Sequence, residues 1–220
     1  MPSAVEKPSR RVLEPMDRLS EVLFGLIMAL TVTGSFSVAT ADDAQTRTML
    51  IGALGCNLAW GIIDGGMYLM ACIHDRGRDI LTWRAARDAS DPDAARRIIA
   101  DALPPVVASV LRPEQLDLMR QELLRLAEPP ARPRPTKSDA LGALAVCLLV
   151  FLSTFPIVIP FLLIDDARLA LRVSNVVAIA MLFLCGYAYG RLAGLWPWAM
   201  GFAMIAAGGM LVGLTIALGG

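Results

Sequence analysis

The stretch Leu50-IGALGCNLAWGIIDGGMYLMAC-Ile73 places an acidic residue, Asp64, inside a hydrophobic run that is long enough to cross a bilayer. A spanning helix needs about 20 residues, and a charge near its centre costs about 2.5–3.5 kcal/mol on insertion scales. Such residues generally face the interior of a helix bundle or a wet path. The run therefore predicts a membrane helix and makes Asp64 the first candidate for a functional residue. The alternative is that Asp64 makes a structural hydrogen bond between helices.

The rest of the chain has the composition of a polytopic membrane protein. Of its 220 residues, 56% are hydrophobic, and the mean hydropathy is +0.58. These values are too apolar for an ordinary soluble domain. We therefore predict an all-α fold with five transmembrane helices, because five runs reach spanning length. The runs are Leu19–Thr40, Met49–Ile73, Asp139–Ile164, Leu169–Gly190 and Ala193–Leu218.

The distribution of Lys and Arg predicts the orientation. Four of these residues lie in the N-terminal tail, 1–18, and twelve lie in the polar segment 75–138. That segment separates the first two predicted helices, within 19–74, from the last three, within 139–220. The positive-inside rule places the tail and the segment in the cytoplasm, and the C-terminus outside. The predicted location is the inner membrane of a bacterial cell.

The segment 75–138 is predicted to be a cytoplasmic module of amphipathic helices. Asp91 or the preceding Ser90 can cap a helix that begins at Pro92 and ends near position 103. Two prolines then interrupt the chain, and a second helix is expected over positions 113–127. Its apolar stripe consists of Leu116, Met119, Leu123 and Leu126. The run Pro129-PARPR-Pro135 is predicted to be a stiff linker back to the membrane.

Residues on one face of the first two predicted spans suggest a metal path. Asn57, Asp64 and Met67 fall at helical spacing in the second span, as Glu21 and Met28 do in the first. Counting from the helix ends places Met28 level with Asp64 and Glu21 at the cytoplasmic mouth. Carboxylate oxygens with thioether sulfurs suit borderline or soft divalent metals better than Mg²⁺ or Ca²⁺. The alternatives are that the methionines face lipid or core and that Glu21 is an interfacial residue.

The sequence gives little support to other classes of function. It has no nucleophile elbow, no zinc-protease motif and no phosphate-binding loop, so we predict that the protein is not an enzyme and has no cofactor. Its basic residues flank the predicted spans and are mixed with acids, so nucleic acid is not an expected partner. The expected partners are the lipid bilayer and a transported divalent metal ion.

The chain resembles the vacuolar iron transporter family of five-span divalent-metal carriers. The predicted topology is similar, with a long cytoplasmic helical segment between the second and third spans. Local patterns are also similar, including an acidic residue four positions before a glycine in the first span and paired prolines in the third. The stretches are Arg18-LSEVLFG-Leu26, Gly142 to Ala145 leading into Leu149-VFLSTFPIVIPFLL-Ile164, Arg172-VSNVVAIAMLFLCGYAYGRL-Ala193 and Gly208-GMLVGLTIAL-Gly219.

The resemblance implies a homodimer in which the first two spans of each subunit line the metal path. Members of the family exchange Fe²⁺ or Mn²⁺ for protons. This chain departs from the family's pattern in the first span, where Ile27, Met28 and Ala29 replace an Asn-Asp-Gly sequence. Its cytoplasmic module is also rich in Arg rather than Glu. Asp64 on the second span either compensates for the missing aspartate or accompanies a change of substrate.

Two other functions are compatible with the sequence. In the first, the protein does not transport, and its Arg-rich cytoplasmic helices bind a partner or anionic lipid. In the second, the same scaffold carries a different small solute, because a fold does not determine a function.

Overall fold

The computed structural model describes residues 13–34, 43–126, 128 and 130–217, and in this part of the chain it contains helices and no strand. The predicted all-α class is therefore confirmed. The tail up to position 12 and the predicted ends of the first and fifth spans lie outside the described residues. The helices are α1 (Pro15–Gly34), α2 (Asp43–Asp88), α3 (Pro92–Asp101), α4 (Pro105–Val110), α5 (Pro113–Arg125), α6 (Lys137–Leu152), α7 (Phe155–Leu163), α8 (Ala167–Ala193) and α9 (Pro197–Ala217).

Three stretches of the described chain are long and apolar enough to cross a membrane. They are Thr46–Asp88, Lys137–Leu163 and Ala167–Ala193. A shorter apolar helix covers Pro197–Leu211. The second of these stretches combines α6 and α7, which are separated by a turn at Ser153 and Thr154. The break fits the predicted kink, because Pro156 lacks the N–H that a continuous helix would use there.

The chain divides into two compact units. The first, which we call the bundle unit, comprises Met1–Tyr68 and Ser138–Gly220, and the second, the module, comprises Leu69–Lys137. In the bundle unit, the largest apolar cluster joins α1, α7 and α8. Its most buried members are Leu26, Ile157, Ala178 and Leu182. A second cluster joins α1, α2 and α7 through Val32, Met49, Leu50, Val158 and Phe161.

The C-terminal helices of the bundle unit pack closely because glycines form their contact. A side chain at Gly190 would lie 2.7 Å from the Cα of Pro197. Gly194 ends α8 with a φ of 70°, a left-handed conformation that glycine adopts without strain. Asp166 caps the start of α8 by accepting hydrogen bonds from the backbone N–H groups of Arg168 and Leu169.

The module follows the predicted helix boundaries with three differences. Asp91 caps α3 by accepting from the N–H groups of Asp93 and Ala94, as expected. However, α2 continues to Asp88, well past the predicted end of the second span, because its last turns pack into the module through Ile80 and Ala86. A short helix, α4, also follows the two prolines. Leu126 was wrongly placed on the α5 stripe, since it lies past the helix end and is 54% exposed.

The module has its own small core. Ala86 of α2, Ile99 of α3 and Leu116 of α5 are buried together, with Met119 and Leu123 packed around them. These contacts bring α2, α3 and α5 into one cluster, so the last part of α2 belongs to this core.

Candidate functional site

Asn57 connects three helical segments at the centre of the bundle unit. Its side chain is completely buried, and its Nδ2 donates to the carbonyl oxygen of Gly25 on α1 at 3.0 Å. The same nitrogen donates to Thr154 Oγ1 in the turn between α6 and α7. Only an amide N–H can face the Gly25 carbonyl favourably, so the orientation of the amide follows from its neighbours. Its other atom, Oδ1, is buried and has no hydrogen-bond partner in the described part of the chain.

Glycines allow α1 and α2 to approach α6 closely at this level. A Cβ at Gly25 of α1 would lie 2.5 Å from the carbonyl oxygen of Val150. On α2, a Cβ at Gly61 would lie 2.8 Å from the carbonyl oxygen of Cys147. Real side chains do not tolerate such distances, so these positions accept only glycine at the present helix separation. The inner face of α2 is thus held against α6 directly beside Asp64.

Contacts between α1 and α2 show that the two helices are antiparallel and fix which residues face each other. Val32 packs in one cluster with Met49 and Leu50, near the start of α2. Farther along, the ring centroids of Phe24 and Trp60 are 5.9 Å apart. As the position on α1 decreases, the position of its partner on α2 increases. This register places Glu21 opposite Asp64.

Glu21 and Asp64 form a pair of carboxylates on facing helices. The Val32 cluster and the Phe24–Trp60 contact place the two residues at the same level of α1 and α2. Each side chain is partly buried. Asp64 Oδ2 is buried and has no hydrogen-bond partner among the described residues. Two like charges in an apolar environment repel each other strongly unless a cation or a proton intervenes. This pair can therefore attract a cation, or it can take up protons.

The methionines predicted for the site are placed differently. The expectation that Met28 lies level with Asp64 was wrong, because the register puts Met28 about two helical turns from Glu21 on α1, roughly 10 Å along the axis. Counting from the ends of the apolar runs gives the wrong level, because the helices begin before those runs do. α1 begins at Pro15 and α2 at Asp43. Met67 is 57% exposed on α2, on the flank of the face that carries Asp64.

The candidate site contains oxygen donors, and Cys147 of α6 places a sulfur 3.4 Å from where a Cβ at Gly61 would lie, one turn from Asp64. Glu21 supplies a carboxylate, and Asn57, two turns away on the same face, supplies an amide oxygen. In residues 13–34, 43–126, 128 and 130–217, no three His, Cys, Asp or Glu side chains form a group that could hold a metal ion. Within one protomer, the structure thus brings two of the five predicted residues together and leaves Asn57, Met28 and Met67 at a distance.

Two residues in this region were not identified from the sequence. Thr154 accepts the Asn57 hydrogen bond, and Ser174 of α8 donates to the carbonyl oxygen of Ile157 at 2.7 Å. Both are completely buried. The polar pair Ser153–Thr154 shortly before Pro156 was a usable signal, since polar groups near a proline break can satisfy freed backbone groups.

The apolar helices and the partly buried carboxylate pair together define a helical membrane protein with ionisable groups between its helices. The model of the VIT family matches residues 86–220. The chain therefore belongs to the VIT family, whose members are membrane transporters of metal ions and not enzymes. A search of the curated proteins returns no match.

The matched residues do not include the candidate site. They begin near the end of α2 and cover the rest of the module and α6 to α9. Glu21, Met28, Asn57, Asp64 and Met67 all precede them. The family assignment thus comes from the C-terminal part of the chain, whereas the site is argued from the geometry of α1 and α2.

Proposed function

We propose that the protein exchanges a divalent metal ion, Fe²⁺ or Mn²⁺, for protons across the bacterial inner membrane. The observation that carries this proposal is the pair of facing carboxylates, Glu21 and Asp64, inside helices of a VIT family member. The proposed topology has five spans, with α1 and α9 joining the three long apolar stretches. α1 and α9, of 20 and 21 residues, would each be about 30 Å long, which matches the hydrocarbon core.

The carboxylate pair supplies the chemistry of exchange. When a divalent cation lies between Glu21 and Asp64, it neutralises both charges. When the cation leaves, protons can take its place and remove the repulsion. Binding of metal and binding of protons are therefore mutually exclusive at this pair. This competition is what coupling requires, and Asp64 is the proposed proton-coupled group.

A homodimer would complete the metal path. Each protomer would contribute one pair of carboxylates, with Asp64 on the side of α2 that faces α6. One face of α2 is suited to such a contact, because a Cβ at Gly52, Gly55 or Gly66 would meet nothing within 4 Å in the protomer. Small residues on an exposed face allow membrane helices to approach closely. Met67 lies beside this face, so in a dimer its sulfur can approach the path.

The test is metal uptake into proteoliposomes with an imposed pH gradient. We expect Asp64→Asn and Glu21→Gln each to reduce Fe²⁺ and Mn²⁺ uptake by at least tenfold, because each variant removes half of the carboxylate pair. Asp165→Asn, which removes an exposed carboxylate between α7 and α8, is the matched control and should transport normally. Unchanged uptake by Asp64→Asn would contradict the assignment of the site.

A binding measurement separates loss of the site from loss of the fold. A ligand that binds only the folded protein at 100 times its Kd stabilises it by about 2.7 kcal/mol. Fe²⁺ or Mn²⁺ should therefore raise the unfolding temperature of the wild type and of Asp165→Asn but not that of Asp64→Asn. Met28→Leu and Met67→Leu test the thioethers in the same way. The absence of a shift with either metal in the wild type would argue against metal transport.

A further inference from the structure

Most arginines of the module that make hydrogen bonds serve its own fold. Arg84 and Arg87 on α2 donate to the carbonyl oxygens of Pro130 and Leu126, at 2.8 and 3.0 Å. Arg120 donates to the carbonyl oxygen of Ala89. The Arg84 bond holds the Pro-rich segment, which has few N–H groups of its own, beside α2, and the other two bonds join the end of α2 to α5. Such arginines are committed to the fold and are poor candidates for binding a ligand.

Arg132 and Arg134 differ from these residues. Both side chains are exposed, and neither forms an ion pair with any residue in the described ranges 13–34, 43–126, 128 and 130–217. The backbone of this segment is nevertheless fixed, since Arg76 donates to the carbonyl oxygen of Arg134 at 2.6 Å. Pro133 also lies 3.6 Å from where a Cβ at Gly77 would be. Two guanidinium groups are therefore presented to solvent from an anchored backbone.

These arginines line a cavity with Arg76. The cavity has a volume of about 660 Å³, and Thr136 adds a hydroxyl group to its wall. Of the described residues that line it, three are arginines and none is acidic. Guanidinium groups bind phosphate oxygens through paired N–H donors. The exposed guanidinium groups of Arg132 and Arg134, with the positive charge of Arg76 beside them, therefore favour a phosphate over a neutral ligand.

We propose that this cavity binds the phosphate of an anionic phospholipid headgroup. Its position in the chain favours a lipid over a soluble phosphate. Lys137, which directly follows the cavity, is the first residue of the membrane-crossing stretch Lys137–Leu163. On α2, Arg76 comes three residues after the apolar run that ends at Ile73. The lining residues therefore adjoin two membrane helices at their polar ends, where lipid headgroups lie.

The experiment measures lipid retention by the full-length protein with native mass spectrometry. The protein is purified with equal amounts of phosphatidylglycerol and phosphatidylcholine, and the ratio of bound phosphatidylglycerol to bound phosphatidylcholine is measured. Each basic residue near an anionic surface contributes about a factor of five. Replacing two with Arg132→Gln and Arg134→Gln should therefore lower the preference for phosphatidylglycerol by about 30-fold. The matched control, Arg97→Gln with Arg112→Gln, removes the same charge from exposed positions elsewhere in the module.

The outcomes are distinct. A preference that falls in the cavity variant and persists in the control supports the proposal. An equal fall in both variants indicates general attraction between charges and overturns it, as does a preference that neither variant changes. Inorganic phosphate and soluble glycerol phosphate are added in a separate arm. Displacement of the lipid by either one at low millimolar concentration would assign the cavity to a soluble phosphate instead. Circular dichroism of each variant confirms that the helices are intact.

Discussion

Replacing Gly65 with alanine is expected to weaken the contact between α2 and α6. A Cβ at this position would lie 2.7 Å from the carbonyl oxygen of Ala143 and 3.7 Å from Cys147 Cβ. The carbonyl oxygen belongs to the backbone of a helix, so it cannot rotate away as the end of a flexible side chain would. The two helices must therefore move apart. Overpacking of this kind costs about 1–3 kcal/mol.

The net effect is smaller than the steric cost, because alanine is the better helix former by about 1 kcal/mol. We therefore expect Gly65→Ala to lower the free energy of unfolding by about 0–2 kcal/mol. Gly209→Ala in α9 is the matched control, because a Cβ there meets nothing within 4 Å. It should gain the same helix propensity without the clash. The difference between the two variants, about 1–3 kcal/mol, then measures the clash alone.

The assay is unfolding in identical mixed micelles, followed by the loss of helical circular dichroism. Metal uptake by Gly65→Ala should also fall, since the substitution displaces the helix segment that carries Asp64. If Gly65→Ala and Gly209→Ala stabilise the protein equally, the close approach of α2 to α6 is refuted.

Three further predictions follow from other contacts. Asp117→Asn should make the module less sensitive to acid, because the hydrogen bonds from Arg96 hold the pKa of Asp117 below its ordinary value. The stabilisation of the folded module by the ionised Asp117 is complete above the unfolded pKa of about 4 and is lost as the pH falls through the lower folded pKa. Hydrogen exchange of α3 and α5 as a function of pH measures this loss. Thr154→Val should lower the free energy of unfolding in micelles by about 0.6–1.7 kcal/mol, because Asn57 loses an acceptor on another segment. Gly55→Leu should convert the proposed dimer to monomers in size-exclusion chromatography with light scattering.

Each of these predictions has a matched control. Asp79→Asn removes an exposed carboxylate of the module and should leave its acid sensitivity unchanged. Thr31→Val removes a hydroxyl that bonds only within its own helix, to the carbonyl oxygen of Ile27, and should cost less than Thr154→Val. Gly209→Leu adds the same bulk to α9 and should not change the molecular mass. A control that behaves like its partner variant would show that the named contact is not the cause.

Much of the fold was predictable because its signals are local. The cap at Asp91, the proline at the start of α3 and the start of α5 depend on a few neighbouring residues, and the structure has each of them where expected. The length of α2 was not predictable in the same way. Its last turns are polar, and what keeps them helical is the packing of Ile80 and Ala86, which are buried in the module.

The sequence by itself determined that the chain is helical and apolar enough for a membrane, and that Asp64 is a costly charge in need of a partner. Composition and periodicity carry this information, because the backbone N–H and C=O groups of each apolar run must be hydrogen-bonded within its own helix in the membrane. Only the tertiary structure decided which residue of α1 lies at the level of Asp64. The choice between Met28 and Glu21 depends on the register of two antiparallel helices, which is set by the Val32 cluster, the Phe24–Trp60 contact and the Asn57 hydrogen bond to Gly25. These interactions join residues that are far apart in the chain, so no local pattern contains them.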